Sequence, residues 1–346
     1  MKAIKLTGLR QMALLEIPQP DIVRDTDVLI RMARVGICGS DVHYFAEGGI
    51  GSQRVKYPFA VGHEGAGIVE AVGPMVTRVQ PGDRIAFDPM QPCGVCDQCR
   101  GGRPHTCPKG NFLGCPGQIE GCLAEYLVLP EKSCYPIPDT MTLEEAATVE
   151  PLSIALWAIT LANLTPGATV GITGAGPIGL CVLLPLRATG AGRIYMTDKI
   201  SERVALARRA GADWAGNPEI EDIVAAIAGR EPALLDVVFE CSGDQAAMDQ
   251  AVELLKPGGK LVLIGIPGAK NRVSFDINLL RRKEICIQNV RRQNQCVQPA
   301  IDLIASKRID INTMITHHIP FAQTQIGFDL VADYQDGVVK AMVAFN

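Results

Sequence analysis

The chain reads as a two-domain α/β protein, an irregular β-rich half followed by a doubly wound parallel sheet. Three observations predict this. Its 346 residues exceed what one hydrophobic core comfortably fills. Up to about Glu150, short β segments are broken by Gly and Pro. From Ala168 onward, strand-like and helix-like stretches alternate with short connections.

In the first half the β segments are 27–35, 65–72, 84–87 and 125–129. In the second half, 168–173 is a short apolar strand, 174–179 a turn, and 180–189 an apolar helix stopped by Gly190. The next strand is 193–197, and Ser201 opens a helix whose Val204, Ala207 and Ala210 face inward before Gly211 ends it. A strand at 235–240, a helix to Leu255, a Lys256-Pro257-Gly258-Gly259 turn and a strand at 260–266 complete the reading. No internal repeat, low-complexity segment or long linker interrupts it.

Composition excludes several classes. An apolar fraction of 47% with 35 Gly and 23 Pro describes a compact chain rich in turns rather than a disordered one. A net charge of -4 gives no basis for binding nucleic acid or an anionic membrane surface. The opening MKAIKL has no apolar export core, and no uncharged run reaches the roughly 18 residues of a membrane helix. A soluble, unprocessed, cytoplasmic protein is expected. Its twelve cysteines, in a chain of this size without an export signal, read as thiols kept for metal in a reducing compartment.

Four of them, Cys93, Cys96, Cys99 and Cys107, fall within fifteen residues of a Gly/Pro-rich loop. That spacing lets four thiolates converge tetrahedrally, as a closed structural zinc site requires. Two disulfides or four free thiols are the alternatives. Cys115, Cys122, Cys134, Cys181, Cys241, Cys286 and Cys296 lie in apolar surroundings and read as free core thiols.

Gly174-Ala175-Gly176-Pro177-Ile178-Gly179 follows a strand and opens a helix, the setting of a dinucleotide site. Gly174 permits the tight turn, Gly176 lets pyrophosphate approach the backbone, and Gly179 lets helix and strand pack closely. The helix N-terminus offers free N–H groups to the phosphates. Asp198, nineteen residues beyond Gly179, ends the second strand, where its carboxylate suits ribose hydroxyls and favours NAD over NADP. Arg203 nearby is of a type that accommodates the extra phosphate.

Upstream, Cys38, His43, His63 and Glu64 supply the thiolate, imidazole and carboxylate that zinc accepts, and Glu150 adds a second acid beside Pro151. Three protein ligands and an open position would make a catalytic metal. Taken singly, each residue is equally a core thiol or a hydrogen-bonded structural side chain.

Cys38-Gly-Ser-Asp-Val-His-Tyr44, Gly62-His63-Glu64, the four-cysteine loop, Glu150-Pro-Leu-Ser153 and the glycine-rich turn occur here in one order. In that order the chain resembles the zinc-containing medium-chain alcohol dehydrogenases, and its phrases at 38–44 and 150–153 resemble the polyol branch, the sorbitol and xylitol dehydrogenases. The resemblance spans essentially the whole chain. It implies a GroES-like β-rich catalytic domain over 1–152, completed by 292–346, and a Rossmann NAD-binding domain over 153–291. It further implies one catalytic and one structural zinc per chain, NAD as cofactor, and a homotetramer.

By the same resemblance Cys38, His63 and Glu64 are zinc ligands, and Glu150 is either a ligand or the group that holds a water on the metal. Ser40 relays the alcohol proton and His43 continues the relay towards solvent. Tyr44, Phe112, Arg292 and Gln293 fall at substrate positions. Ile178, Asp198, Arg203, Ile264, Gly265, Ile266, Arg291 and Arg292 fall along the cofactor. The implied reaction is oxidation of a secondary hydroxyl of a polyol to the ketose. One stretch departs from the polyol pattern, because Arg291 and Gln293 flank Arg292 where aromatics are expected. Guanidinium groups bind carboxylate or phosphate bidentately, so a sugar acid or sugar phosphate is the alternative substrate. Arg291 is otherwise a cofactor or subunit contact. Outside enzymes, the alternative is a dinucleotide-binding protein without turnover, against which the intact Cys38, Ser40, His63, Glu64 and Glu150 argue.

Overall fold

The computed structural model describes residues 1–267 and 272–345. Two compact units emerge, one of residues 1–153, 294–307 and 315–346, the other of residues 154–293 and 308–314. The C-terminal return to the first unit is thus interrupted, since 308–314 packs with the second. There, Met314 Sδ accepts the Cys181 thiol at 3.6 Å.

The first unit is organised around the strand Asp27–Gly36, a largely apolar run buried along nearly its whole length. It pairs antiparallel with Glu64–Val72, Tyr126–Pro130 and Lys340–Ala344. Gly36 therefore stands opposite Glu64 on one flank and Met342 on the other. Arg84–Phe87 and Cys134–Pro136 extend the sheet beyond Glu64–Val72, and Ile315–Pro320 lies beyond Lys340–Ala344. Directly after the central strand, Cys38 caps the helix Gly39–Glu47, which ends at Gly48 in the left-handed conformation. Phe45 of that helix packs against Phe328 of Thr324–Ala332 with ring centroids 5.4 Å apart, and both rings are buried. This contact fixes the helix that carries Ser40, Asp41, His43 and Tyr44.

The second unit is a six-stranded parallel sheet. Its order runs Trp214–Gly216, Ile194–Thr197, Val170–Thr173, Leu235–Glu240, Leu255–Leu263, Cys286–Asn289. The order reverses direction at Val170–Thr173, the switch point at which open α/β sheets bind ligands. Val170–Thr173 and Ile194–Thr197 are buried throughout, as parallel strands covered on both faces must be. The helix after the first strand begins at Pro177, so Gly179 lies inside its first turn rather than at the end of the loop.

Among the elements of this unit that were not legible beforehand are the short strand Trp214–Gly216, the helices Ile223–Arg230 and Ile277–Lys283, and the edge strand Cys286–Asn289. The Lys256-Pro-Gly-Gly segment is also different from expectation. It lies within the strand, where the pairing jumps from Leu235 with Leu255 to Val237 with Lys260, and Gly258 takes φ 77° to allow the excursion. Cys286, expected in the core, is exposed on the edge strand.

Candidate active site and metal centres

Two groups of side chains in the first unit have metal-ligand chemistry. In the loop, Cys96 Sγ is 3.5 Å from Cys99 Sγ and 3.7 Å from Cys107 Sγ, and Cys107 Sγ is 3.5 Å from Cys93 Sγ. None of these thiols is in a disulfide. Backbone N–H groups of Val95 and Cys96 point at Cys93 and lower its pKa to about 6, as suits a thiolate ligand. Four sulfurs complete a tetrahedron and leave no open position.

The second group brings Cys38, His63 and Glu64 together, with one donor atom of each within 4.8 Å of the others. The turn before the strand Glu64–Val72 makes this possible. Gly62 sits at φ 100° with Cys122, Leu123 and Val35 packed where a β-carbon would project. Asp41, wholly buried, accepts the Gly62 N–H at 3.2 Å and lies 3.3 Å from His63 Nδ1. Burial works against a charged His63 ring, but Asp41 and the Cys38 thiol outweigh it and hold the pKa well above the usual range. Asp41 is a site residue that the sequence reading did not single out. The signal was present, since a carboxylate within the Cys38–His43 phrase is the usual partner of a metal-ligating imidazole.

Glu64 is buried against Lys340, whose Nζ donates to Glu64 Oε2 at 2.5 Å and to Ile37 O at 3.1 Å. Glu150, named above as an alternative ligand, is carried by the helix Val149–Ala162 and is not among the three residues whose donor atoms lie within 4.8 Å of one another. It is buried all the same, and its Oε2 has no hydrogen-bond partner. Burial pushes its pKa up to about 8, with His63 lowering it and Glu64 and Asp88 raising it.

Around this group, Phe112 packs on His63 with ring centroids 5.2 Å apart. Ser40 Oγ donates to Cys38 Sγ at 3.4 Å, and His43 Nδ1 meets Glu47 Oε1 at 2.7 Å nearer the surface. Tyr44 is 5% exposed and donates to Cys115 Sγ at 3.9 Å, where Gln53 Nε2 also donates at 3.1 Å. Cys115 therefore lies among polar partners, contrary to the expected apolar setting. Arg291, Arg292 and Gln293 belong to the second unit; Arg291 is exposed, and Arg292 takes φ 53°.

In the second unit, Gly174 takes φ 93°, and a β-carbon there would crowd the backbone of Cys241 and Ser242. A β-carbon on Gly179 would collide with the Gly174 carbonyl, which is why helix and strand approach so closely there. Asp198 Oδ2 accepts the Ala175 N–H at 2.7 Å and Oδ1 accepts the Ile200 N–H at 2.8 Å, tying the carboxylate to the glycine-rich turn. Arg203 is buried, with its Nη1 beside Gly176. Ile264 and Gly265 both donate to Glu240 O at 2.9 Å, while Ile178 is half-buried and Ile266 is exposed.

Residues 24–139 match the alcohol dehydrogenase GroES-like domain, and residues 177–306 match the zinc-binding dehydrogenase domain. A sorbitol dehydrogenase of Bacillus subtilis (strain 168) is 34% identical over 100% of this chain and 98% of its own length. The chain belongs to the zinc-containing medium-chain alcohol dehydrogenases. Within them it is similar to the polyol branch, and an L-idonate 5-dehydrogenase of Vitis vinifera is 36% identical over 87% of this chain and 82% of its own. A crystal structure of an Escherichia coli oxidoreductase of unknown specificity superposes with TM-score 0.93 and 32% identity, covering 100% of this chain and 99% of the other.

This dehydrogenase is an enzyme acting on CH–OH groups, with zinc and a nicotinamide dinucleotide as cofactors. Its residues fit zinc on their own evidence. The loop offers four thiols with no other covalent use, and Cys38 with the buried His63 and Glu64 has a partnerless buried carboxylate oxygen, that of Glu150, in the same unit. Orphaned buried acid groups are costly unless a cation or a proton meets them. Among the described residues, no helix is long and apolar enough to cross a membrane.

Proposed function

We propose that this chain oxidises a secondary hydroxyl of a sorbitol- or xylitol-type polyol to the ketose, passing the hydride to NAD and the hydroxyl proton to solvent. The observation that carries this reading is the Cys38, His63 and Glu64 group, two of its three members buried, with Phe112 packed on His63. Zinc held there supplies a Lewis acid that stabilises negative charge on the substrate oxygen. The protein's own residues do the rest. Phe112 and Tyr44 orient the carbon chain, and Ser40 Oγ carries the hydroxyl proton away. His43 passes it on at the more exposed end of the helix, where Glu47 holds its Nδ1 at 2.7 Å. Glu150 stands by as the buried acid that offsets charge at the metal or holds a water there. Asp41 orients the His63 ring. The four-cysteine loop holds a structural zinc.

On the cofactor side, Asp198 supports NAD, because its carboxylate would repel a 2′-phosphate. Gly174, Gly176 and Gly179 shape the pyrophosphate turn. Ile178, Arg203, Ile264, Gly265 and Ile266 flank the nucleotide, with Arg291 and Arg292 further along it. The reading also takes the enzyme to be a cytoplasmic homotetramer.

A second reading, a sugar acid or sugar phosphate substrate, rests on Arg291, Arg292 and Gln293 standing where the polyol pattern has aromatics beside its arginine. Similarity to an L-idonate 5-dehydrogenase over 87% of the chain supports keeping it. NADH formation by the zinc-loaded protein against polyols, aldonates and sugar phosphates separates the two. Turnover confined to neutral polyols supports the first reading, and turnover confined to anionic sugars replaces it with the second.

A further inference from the structure

The buried partner of Glu64 has no place in the functional reading so far. Lys340 is 1% exposed and Glu64 2%, and the ammonium donates to Glu64 Oε2 and to Ile37 O. Strand pairing makes the encounter unavoidable. Gly36 stands opposite Glu64 on one neighbour and Met342 on the other, so the C-terminal strand delivers Lys340 to a carboxylate 276 positions earlier in the chain. Gly36 is also the space the pair occupies. A β-carbon there would collide with Glu64 Oε2 and come 3.4 Å from Lys340 Cδ, although its strand backbone would accept alanine.

An isolated buried ammonium is expensive, and a buried pair is a weak source of stability compared with apolar packing. Its position beside a metal-donor group gives it a different use. Cys38 and Glu64 together carry the two negative charges that would neutralise a zinc dication, and Lys340 competes for one of them. We propose that Lys340 is a positioning residue of the metal centre: by holding Glu64 Oε2 it limits how firmly the carboxylate engages zinc and keeps that ligand exchangeable. Glu150, with a partnerless buried oxygen, is the acid at hand when Glu64 turns to Lys340. The inference rests on the reading that Cys38, His63 and Glu64 hold zinc.

Zinc release from the holoenzyme into excess chromogenic chelator tests it. Two phases are expected, one from each site, and Cys38→Ser identifies the phase of the open site by abolishing it. Lys340→Met should slow that phase about tenfold, in the range that outer-shell changes produce in metal affinity, and leave the four-cysteine phase unchanged. Lys340→Arg, which keeps the charge, should release at close to the parental rate. Gly36→Ala keeps both charges but wedges a methyl where Oε2 rests, and it should slow the same phase; it reads the proposal even where Lys340→Met does not fold. A pair that serves stability alone predicts faster release on its loss. Unchanged or faster release from a cooperatively melting Lys340→Met or Gly36→Ala variant overturns the proposal. Two intact phases in Cys38→Ser would overturn the underlying site assignment as well.

Discussion

The four-cysteine loop and the Cys38, His63 and Glu64 group lie in the same unit and both have metal-ligand chemistry, yet they are built on opposite plans. The loop draws four like ligands from one short stretch, leaves most of them partly exposed, and surrounds them with backbone N–H groups. The other site draws three different ligands from a helix cap, a turn and a strand, buries two of them, and adds Asp41, Glu150 and Lys340 around them. A closed shell of thiolates satisfies zinc and ends its chemistry. A mixed shell with buried charges left partly unbalanced keeps the metal reactive, at a cost in stability that the surrounding fold has to absorb.

That contrast breaks most sharply under ligand loss. Cys38→Ser should lower kcat by about 10³-fold or more, since the Lewis acid is lost or misplaced, while NADH binding followed by fluorescence stays as in the parent. Substantial retained turnover would remove the open site from the chemistry. Cys99→Ser should do the reverse. It should lower the stability of the chain by on the order of 3 kcal/mol, because a structural zinc contributes to folding directly, while activity per folded molecule persists. A melting curve unchanged from the parent would mean the loop holds no structural metal.

Glu150 sharpens the comparison through pH. Its folded pKa, about 8, lies above the ordinary 4.5, so its contribution to stability is full below about pH 4.5 and is lost as pH rises through about 8. In protein stripped of zinc at the open site, Glu150→Gln should therefore be neutral near pH 4. Near pH 8 it should be more stable than the parent by up to about 4 kcal/mol. Equal melting midpoints at both pH values would show that the carboxyl is not held in an uncompensated apolar site. The smallest effect is expected from Arg291→Ala. If Arg291 reads substrate charge, the kcat/KM ratio between an aldonate and a polyol should fall several-fold, as loss of one charged hydrogen bond implies. An unchanged ratio assigns the side chain to cofactor or subunit contact.

The two sites also differ in how far a reader of the sequence can see them. The loop is legible because its ligands are close in sequence and its glycines and prolines permit only a tight turn. The glycine-rich turn is legible for the same reason, down to Gly174 and Gly179. Trp214–Gly216 and Cys286–Asn289 are not, because strands of three and four residues at the two margins of a sheet carry little periodicity of their own. Cys115 illustrates a different failure. Its sequence neighbours are largely apolar or small, and only folding sets Tyr44 and Gln53 against its sulfur.

From the sequence alone came the two-part architecture, the order of motifs, the four thiols of the closed site and the types of ligand at the open one. Those features rest on local spacing and composition, which constrain turns, caps and strands over a few residues. Only the tertiary structure set the donor atoms of Cys38, His63 and Glu64 within 4.8 Å of one another, Asp41 3.3 Å from the His63 ring, and Lys340 against Glu64. Each depends on strand register and on which buried charges share one low-dielectric space, and neither is encoded by any short stretch of chain.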